Sequence, residues 1–268
     1  MHQTLTVPTT PAVAGRRHDS LARTIVRLTS VELRLLLREP GVLVGLIAFP
    51  AVTVLVLAGV FGSDPDPDFG GVIPSEHYVV GYVGVVIASL GLVTLPAHLA
   101  SHRELGVLRR YRAAGLDARA VVGSHLLLGV VLGTLASAVV LAIGGLVYGV
   151  SAPDDPLGVA AWFVAGLLCF IAIGSTLGAM MPSSRAAAAF GNLLFVPMFL
   201  LGGGGPPREV MTDAMQKVSD ALPLSHIIGG LRLSWFGTTD DPHALWWPAL
   251  VAVVAVVVAV RTMRRSVA

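Results

Sequence analysis

The sequence predicts an all-α polytopic membrane protein with six transmembrane helices. Hydrophobic residues make up 54% of the chain and charged residues only 13%, whereas a soluble domain has roughly 25% charged residues. Six separate stretches are almost wholly apolar, and roughly 20 such residues cross a bilayer. Lysine and arginine concentrate at alternate ends of these stretches, which is typical of a chain that crosses a membrane repeatedly.

The chain begins with a polar segment and a basic helix. Residues 1–18 are predicted to be a disordered cytoplasmic tail, and residues 19–39 an amphipathic helix in the membrane interface. Arg23, Arg27 and Arg34 share one face of this helix at 100° per residue. Glu32 falls within its opposite, apolar stripe, where we expect a locally solvated carboxylate rather than one that meets a partner.

Residues 40–268 form the predicted transmembrane domain. Its spans cover about 42–61, 78–99, 121–150, 157–181, 186–201 and 244–260. None of them contains Asp, Glu, Lys or Arg. Glycines spaced four apart predict small faces for close helix packing; the pairs are Gly129 and Gly133, Gly145 and Gly149, and Gly174 and Gly178.

The distribution of basic residues predicts the orientation. Six Lys or Arg precede the first span, five follow the second, one follows the fourth and three follow the sixth. None follows the first or third span, and three lie between the fifth and sixth. Because basic residues favour the cytoplasmic side, we expect both termini in the cytoplasm and the protein in a bacterial plasma membrane.

Two segments are predicted to lie outside the cell. The loop with Asp64, Asp66 and Asp68 lacks the glycine and distal Glu of a calcium-binding loop, so a solvated acidic loop is favoured. Residues 208–222 are amphipathic, and Pro223 separates them from a second short element at 224–236. These two elements are predicted to be re-entrant or interfacial helices before the last span.

A basic segment at residues 101–115 lies between the second and third spans. Ser101 and Glu104 have the spacing of a capping box, and Gly115 can end a helix. The pattern predicts a short charged helix that starts at Ser101. Two interpretations stay open from spacing alone: a helix that transmits force from a partner, or a basic loop that only sets topology.

Several chemistries are excluded or disfavoured. The only lysine, Lys217, lies between Gln216 and Val218, so the Gly-Lys-Ser/Thr of a nucleotide-binding P-loop is absent. The single cysteine, Cys169, allows neither an intrachain disulfide nor a thiolate metal cluster. His98 and His102 have a metal-binding spacing without an evident third ligand, so no bound cofactor is expected.

Two stretches resemble the permeases of type-2 ABC exporters. The run from His102 to Arg110 resembles the family segment R-E-x-G-T-L-x-x-L-x-x-x-P, with Val107 in place of Thr. The runs 199–206, 222–226 and 231–232 resemble F-x-x-G-x-x-x-P, N-P-L-T-x and L-R, with Leu222 in place of Asn. The similarity is greatest to the daunorubicin/doxorubicin-type drug exporters.

The resemblance implies a permease subunit rather than an enzyme. It implies export of a hydrophobic or amphipathic substrate, either a drug or antibiotic or a lipid-like molecule. It implies two copies of a separate ATP-binding subunit, which carries ATP and Mg, and a second permease chain, within the lipid bilayer and without nucleic acid. It also implies three groups of site residues: ATPase coupling by Arg103, Glu104, Gly106, Leu108, Arg109 and Arg110; interfacial support by Arg23, Arg27 and Arg34; and an outer gate at Gly202, Pro206, Pro223 and Arg232.

Two other classes of function stay open. An ion-coupled secondary transporter needs intramembrane carboxylates or inverted repeats, and the sequence shows neither in its six predicted spans. A non-transporting membrane anchor is compatible with the same composition. An associated ATPase separates the exporter from both.

Overall fold

The computed structural model describes residues 20–38, 41, 44–61, 64–113, 115–116, 118–237 and 246–265. These residues form only helices, turns and loops. The predicted tail at 1–18 lies outside these residues. The described part contains eleven α-helices. They are α1 (Leu21–Leu36), α2 (Phe49–Val60), α3 (Pro74–Ser89), α4 (Leu95–Glu104), α5 (Val107–Ala113), α6 (Ala118–Ile143), α7 (Pro156–Met180), α8 (Ser184–Leu201), α9 (Asp213–Ala221), α10 (Pro223–Phe236) and α11 (Trp246–Arg265).

Three π-helical turns interrupt or extend the long helices. Val44–Ala48 precedes α2, Leu90–Thr94 joins α3 to α4, and Gly144–Tyr148 ends α6. Single π-turns widen an α-helix locally and occur often at functional sites. The second predicted span is therefore one continuous helical path from Pro74 to Glu104 with a π-turn in its middle.

Four described helical segments are long and apolar enough to cross a membrane. They are Pro67–Glu104, Gly123–Tyr148, Pro156–Met180 and Ser184–Leu201, and they match the second to fifth predicted spans to within two residues or include them. The first and last predicted spans match the shorter apolar helices Phe49–Val60 and Trp246–Ala255. The all-helical membrane fold is thus confirmed, and the count of six crossings stays a prediction.

Proline and short polar side chains start the helices. Pro156 begins α7, where its missing N–H costs nothing, and the Asp155 carboxylate accepts a hydrogen bond from the Gly158 N–H at 3.0 Å. The Ser183 hydroxyl accepts one from the Ala186 N–H at 3.2 Å at the start of α8. The Ser183 cap lets α8 start after a turn of only three residues.

Helix α3 is the centre of the bundle. All but one of its sixteen residues are buried, including Tyr78 and Tyr82, and it packs against α2, α6, α7 and α10. In a bilayer, such packing is stabilised by close van der Waals contact rather than by removal of apolar surface from water. A helix enclosed on all sides can carry polar side chains that lipid would not tolerate.

Glycine faces produce much of this close packing. A Cβ at Gly133 would collide with Leu167 of α7, and one at Gly178 would meet Leu99 of α4 at 2.9 Å, which confirms the pairs on α6 and α7. The predicted packing role of the remaining pair, Gly145 and Gly149, is wrong. A Cβ at Gly145 would have no neighbour within 4 Å among the described residues, and Gly149 has φ +65° and ends the π-turn. Glycine at that position serves a left-handed backbone, not packing.

The short elements before the last span differ from each other. α9 is largely exposed, whereas α10 is buried against α3 and α7 through residues such as Ile227, Ile228 and Leu231. In the acidic loop, the Asp66 carboxylate accepts a hydrogen bond from the Asp68 N–H at 2.9 Å. The described residues contain no group of three metal-ligating side chains, in this loop or elsewhere.

Candidate functional site

The end of the bundle that carries α5 is called the inner end here, and the end that carries α9 the outer end. At the inner end, α4 runs through Ser101 to Glu104, and the helix breaks only at Leu105 and Gly106. The predicted helix start at Ser101 is wrong. Ser101 lies inside the helix Leu95–Glu104, which continues the preceding span, so it does not act as an N-cap.

The basic helix is therefore α5, which starts at Val107 and is separated from α4 by a sharp bend. Gly106 has φ +69°, a backbone conformation that favours glycine. Gly115 has φ +74°, and the Leu116 N–H donates to the Tyr111 carbonyl at 3.0 Å, the bond of a Schellman motif. The predicted C-cap is confirmed.

Arg103 and Glu104, expected to face a partner, instead hold the turn between α7 and α8. The Arg103 guanidinium donates to the carbonyls of Gly178 at 2.9 Å, of Ala179, and of Met181 at 3.3 Å. The Glu104 carboxylate accepts the Ser184 N–H at 3.1 Å. A cation thus lies at the C-terminus of α7 and an anion at the N-terminus of α8, which is the favourable arrangement for both helix dipoles.

The remaining coupling candidates lie on or beside α5. The Arg110 side chain is exposed, and Gly106 forms the bend. The side chains of Leu108 and Arg109 lie outside the described part of the structure. Arg110 is therefore the one basic side chain of the predicted set that the structure describes on an exposed face of α5.

Helix α1 packs along α6 with its arginines outward. Arg23, Arg27 and Arg34 are exposed, as an interfacial helix requires. On the inward face, the Thr29 hydroxyl donates to the Ser124 carbonyl at 3.3 Å. Glu32 is 2% exposed, so the expectation of a solvated carboxylate is wrong.

Burial of Glu32 changes its proton affinity. Loss of water raises the pKa of Glu32 to about 7, and a hydrogen bond from Ser124 offsets only part of this effect. Burial, followed by the nearby charge of Glu32, also raises the pKa of Tyr111 on α5. The contact between α1, α5 and α6 therefore contains a carboxyl group that titrates near neutral pH.

Three histidines gather beside this contact, which sequence reasoning did not detect as a group. The ring of His98 lies 4.2 Å from that of His102 and 6.3 Å from that of His125 on α6. The sequence alone showed no partner for His125, because His98 and His125 are far apart in the chain and come together only when α4 packs near α6. The three do not form a metal-binding group in the described structure.

A cavity of about 580 Å³ opens between the start of the first span, the second span and α8. Its volume is that of a typical small-molecule site. None of the fifteen described residues that line it is Asp, Glu, Lys or Arg. The polar lining consists of Ser89, Thr94, His98, Ser101, Ser184 and Asn192, and the apolar lining includes Leu36, Phe49, Val93, Phe195 and Val196.

A row of aromatic rings leads from this cavity towards the outer end. Neighbouring ring centroids are 5.6 to 6.5 Å apart, within the range of favourable aromatic contact. In order from the cavity the rings are Phe49, Phe195, Phe199, Tyr82, Tyr78 and Phe61. The row follows α2, α3 and α8, each of which also contributes residues to the cavity lining.

The predicted outer gate residues gather where this row ends. Arg232 of α10 donates to the carbonyls of His77 at 3.2 Å and Gly203 at 2.9 Å. Gly202 ends α8, and a Cβ there would meet Leu224 at 3.1 Å. Pro223 is buried at the start of α10, and Pro206 is half-buried in the glycine-rich turn.

Comparison with known proteins assigns this all-helical membrane fold to a transporter family. Residues 23–236 match the family model described as ABC-2 type transporter, so the chain belongs to this family, whose members work with an ATP-binding subunit. The chain is also 25% identical over 155 residues to the "Putative transport permease YvfS" of Bacillus subtilis (strain 168). That match covers 58% of this chain and 63% of the relative.

Proposed function

We propose that this chain is the permease subunit of an ATP-driven exporter that moves an apolar or amphipathic molecule out across the bacterial plasma membrane. The observation that carries the proposal is the cavity between the first two spans and α8, whose described lining residues include no Asp, Glu, Lys or Arg, with an aromatic row leading from it to the outer end. Such a lining favours substrates without fixed charge, since an unpaired ion is costly to move against it.

The cavity also narrows the substrate class. Its hydroxyl, imidazole and amide groups can orient a molecule by hydrogen bonds, while Phe49 and Phe195 can contact an aromatic or lipid-like part. Drugs, antibiotics and lipid-like molecules fit this description. The narrower assignment to daunorubicin-type substrates rests on sequence resemblance alone.

The driving force is proposed to come from two ATP-binding subunits that dock at the inner end beneath a pair of permease chains. These subunits would bind ATP and Mg, and their closure would push on α5. The exposed Arg110 of α5 offers a contact for an acidic surface, and the exposed arginines of α1 lie at the same end.

Copurification tests this proposal. The tagged chain is extracted from its native membrane in detergent, and the proteins that come with it are identified by mass spectrometry. We expect a P-loop ATPase, and we expect the variant Arg110→Glu to retain several-fold less of it, because reversing an interfacial charge replaces attraction by repulsion.

Lys217→Glu is the matched control, since it reverses an exposed charge on α9 at the other end of the bundle. This variant should retain the ATPase at the parental level. A stable chain that brings no ATPase with it would contradict the proposal and favour a secondary transporter or a membrane anchor.

A further inference from the structure

The neighbouring residues Arg103 and Glu104 lie between the basic helix and the wall of the cavity. Leu105 and Gly106 follow them, Gly106 bends the chain, and α5 starts at Val107. Any force on α5 therefore reaches the end of α4 through a connection of two residues. What α4 holds at that end decides which part of the bundle moves.

Both side chains connect α4 to the turn at 181–183. Arg103 donates to three carbonyls at the end of α7, which receive no N–H from a further helical turn. Glu104 accepts the first N–H of α8. The Arg103 cation lies at the negative end of the α7 dipole and the Glu104 anion at the positive end of the α8 dipole. Each side chain therefore attaches a different helix to α4.

The backbones are close as well as hydrogen-bonded. A Cβ at Gly178 would meet both the Leu99 side chain and the Pro96 carbonyl at 2.9 Å. α4 and the end of α7 therefore have little freedom to slide past each other. A displacement of the end of α4 carries the turn with it.

The turn leads directly into the cavity wall. Ser184, Ala188, Asn192, Phe195 and Val196 of α8 line the cavity, and Ser184 itself supplies the N–H that Glu104 accepts. Thus the residue held by α4 and the residues that face the cavity belong to one helix, which begins at the point of attachment.

We infer that Arg103 and Glu104 are positioning residues that transmit the movement of α5 to α8, and so reshape the cavity when ATP binds to the partner. They do this by holding α7 and α8: Arg103 is half-buried beneath α7, and the exposed Glu104 is hydrogen-bonded to the start of α8. The inference rests on the proposed function, because it needs an ATPase that moves α5.

The test reports on the cavity wall with a single cysteine. The only native cysteine is replaced by Cys169→Ala, and Asn192→Cys places a thiol on α8 in the cavity lining. The complex is purified with its ATPase, and the rate of labelling by N-ethylmaleimide is measured without nucleotide and after trapping with Mg-ATP and vanadate. In this parent we expect trapping to change the rate at least threefold.

Removal of either connection should uncouple the two ends. With Arg103→Ala or Glu104→Ala, we expect the ATPase to copurify and to trap nucleotide, while trapping changes the labelling rate less than 1.5-fold. Glu104→Gln keeps the shape and an acceptor oxygen without the charge, so it should give an intermediate change and tests the idea even if an alanine variant does not fold.

Ser183→Ala separates transmission from simple helix capping. It removes the N-cap of the same helix, whose hydroxyl accepts the Ala186 N–H, and this hydroxyl bonds to α8 itself rather than to α4. This variant should keep the parental threefold change. If it loses the change equally, or if the alanine and glutamine variants keep it, Arg103 and Glu104 only cap helices and the inference is overturned.

Two results with the parent would bear on the proposed function itself: no ATPase copurifies, or trapping of nucleotide leaves the labelling rate unchanged. Either outcome contradicts the proposed function, and the inference fails with it. Copurification of the ATPase with an unchanged response in the variants contradicts the inference alone.

Discussion

Single buried side chains give the inner end its distinctive chemistry. Glu32 of α1 is buried where α1 meets α6, and one of its carboxylate oxygens has no hydrogen-bond partner among the described residues. An unpaired buried carboxylate is costly when charged, which is why its pKa rises to about 7. The group is neutral below that pH and becomes charged above it.

The pH dependence of stability should report this carboxyl group. The folded pKa is raised above the value of 4.5 for a free side chain, so the folded state holds a proton that the unfolded state releases as pH rises from 4.5 to 7. Stability therefore falls across this window, by roughly 3 kcal/mol when one pKa unit corresponds to about 1.4 kcal/mol. Above about pH 7 the loss is complete.

We expect Glu32→Gln, which cannot ionise, to remove this part of the loss. Its melting temperature in detergent, followed by tryptophan fluorescence, should exceed that of the parent at pH 8 and approach it at pH 5. Glu209→Gln alters an exposed carboxylate of the outer segment and should leave the difference between the two pH values unchanged. A parent and Glu32→Gln with parallel pH profiles would show that Glu32 is solvated.

At the scale of elements, the π-turn Leu90–Thr94 is enclosed between two helices. A Cβ at Gly174 of α7 would collide with the Gly91 carbonyl, and one at Gly191 of α8 would collide with the Leu92 carbonyl. The widened turn brings its backbone closer to both neighbours than a side chain would allow. It lies directly beside the cavity, since Val93 and Thr94 line it.

Alanine at either glycine should therefore destabilise the fold. The obstacle is backbone rather than a flexible side chain, so we expect a cost of about 1–3 kcal/mol or more for each variant. The fall in melting temperature of Gly174→Ala and Gly191→Ala measures it. Gly145→Ala is the matched control, because a Cβ there meets nothing within 4 Å in the described structure; an equal fall in all three would contradict the packing.

Local patterns predict the elements well and their contacts poorly. Apolar length identified the long helices, and glycine predicted the end of α5 at Gly115, because both are properties of one segment. The start at Ser101 failed because a helix already under way continues at less cost than a new one begins. The contacts of Arg103 and the grouping of His98 with His125 join positions far apart in sequence, so no local spacing contains them.

At the scale of the whole molecule, the inner and outer ends differ in chemistry. The inner end carries the exposed arginines of α1 and α5 and Arg185 of α8, whereas the outer end carries the acidic loop around Asp66. Arg232, the arginine of α10, is turned inward onto two carbonyls rather than displayed. This asymmetry is the reason to expect the inner end in the cytoplasm.

Labelling of single cysteines in intact cells tests that orientation and the number of crossings. In the Cys169→Ala background, Asp68→Cys and Lys217→Cys should react with a membrane-impermeant maleimide, whereas Arg110→Cys and Arg185→Cys should react only after permeabilisation. All four positions are exposed in the structure, so burial does not explain a difference between them. A C-terminal epitope tag should likewise bind its antibody only after permeabilisation.

Each departure from this pattern points to a particular helix. Asp68→Cys and Arg110→Cys lie at opposite ends of the second span, and Arg185→Cys and Lys217→Cys at opposite ends of α8. If both members of a pair show the same reactivity in intact cells, the helix between them does not cross the membrane. If the C-terminal tag reacts in intact cells, α11 does not cross or the whole chain is inverted, and the behaviour of Arg110→Cys decides between those two cases.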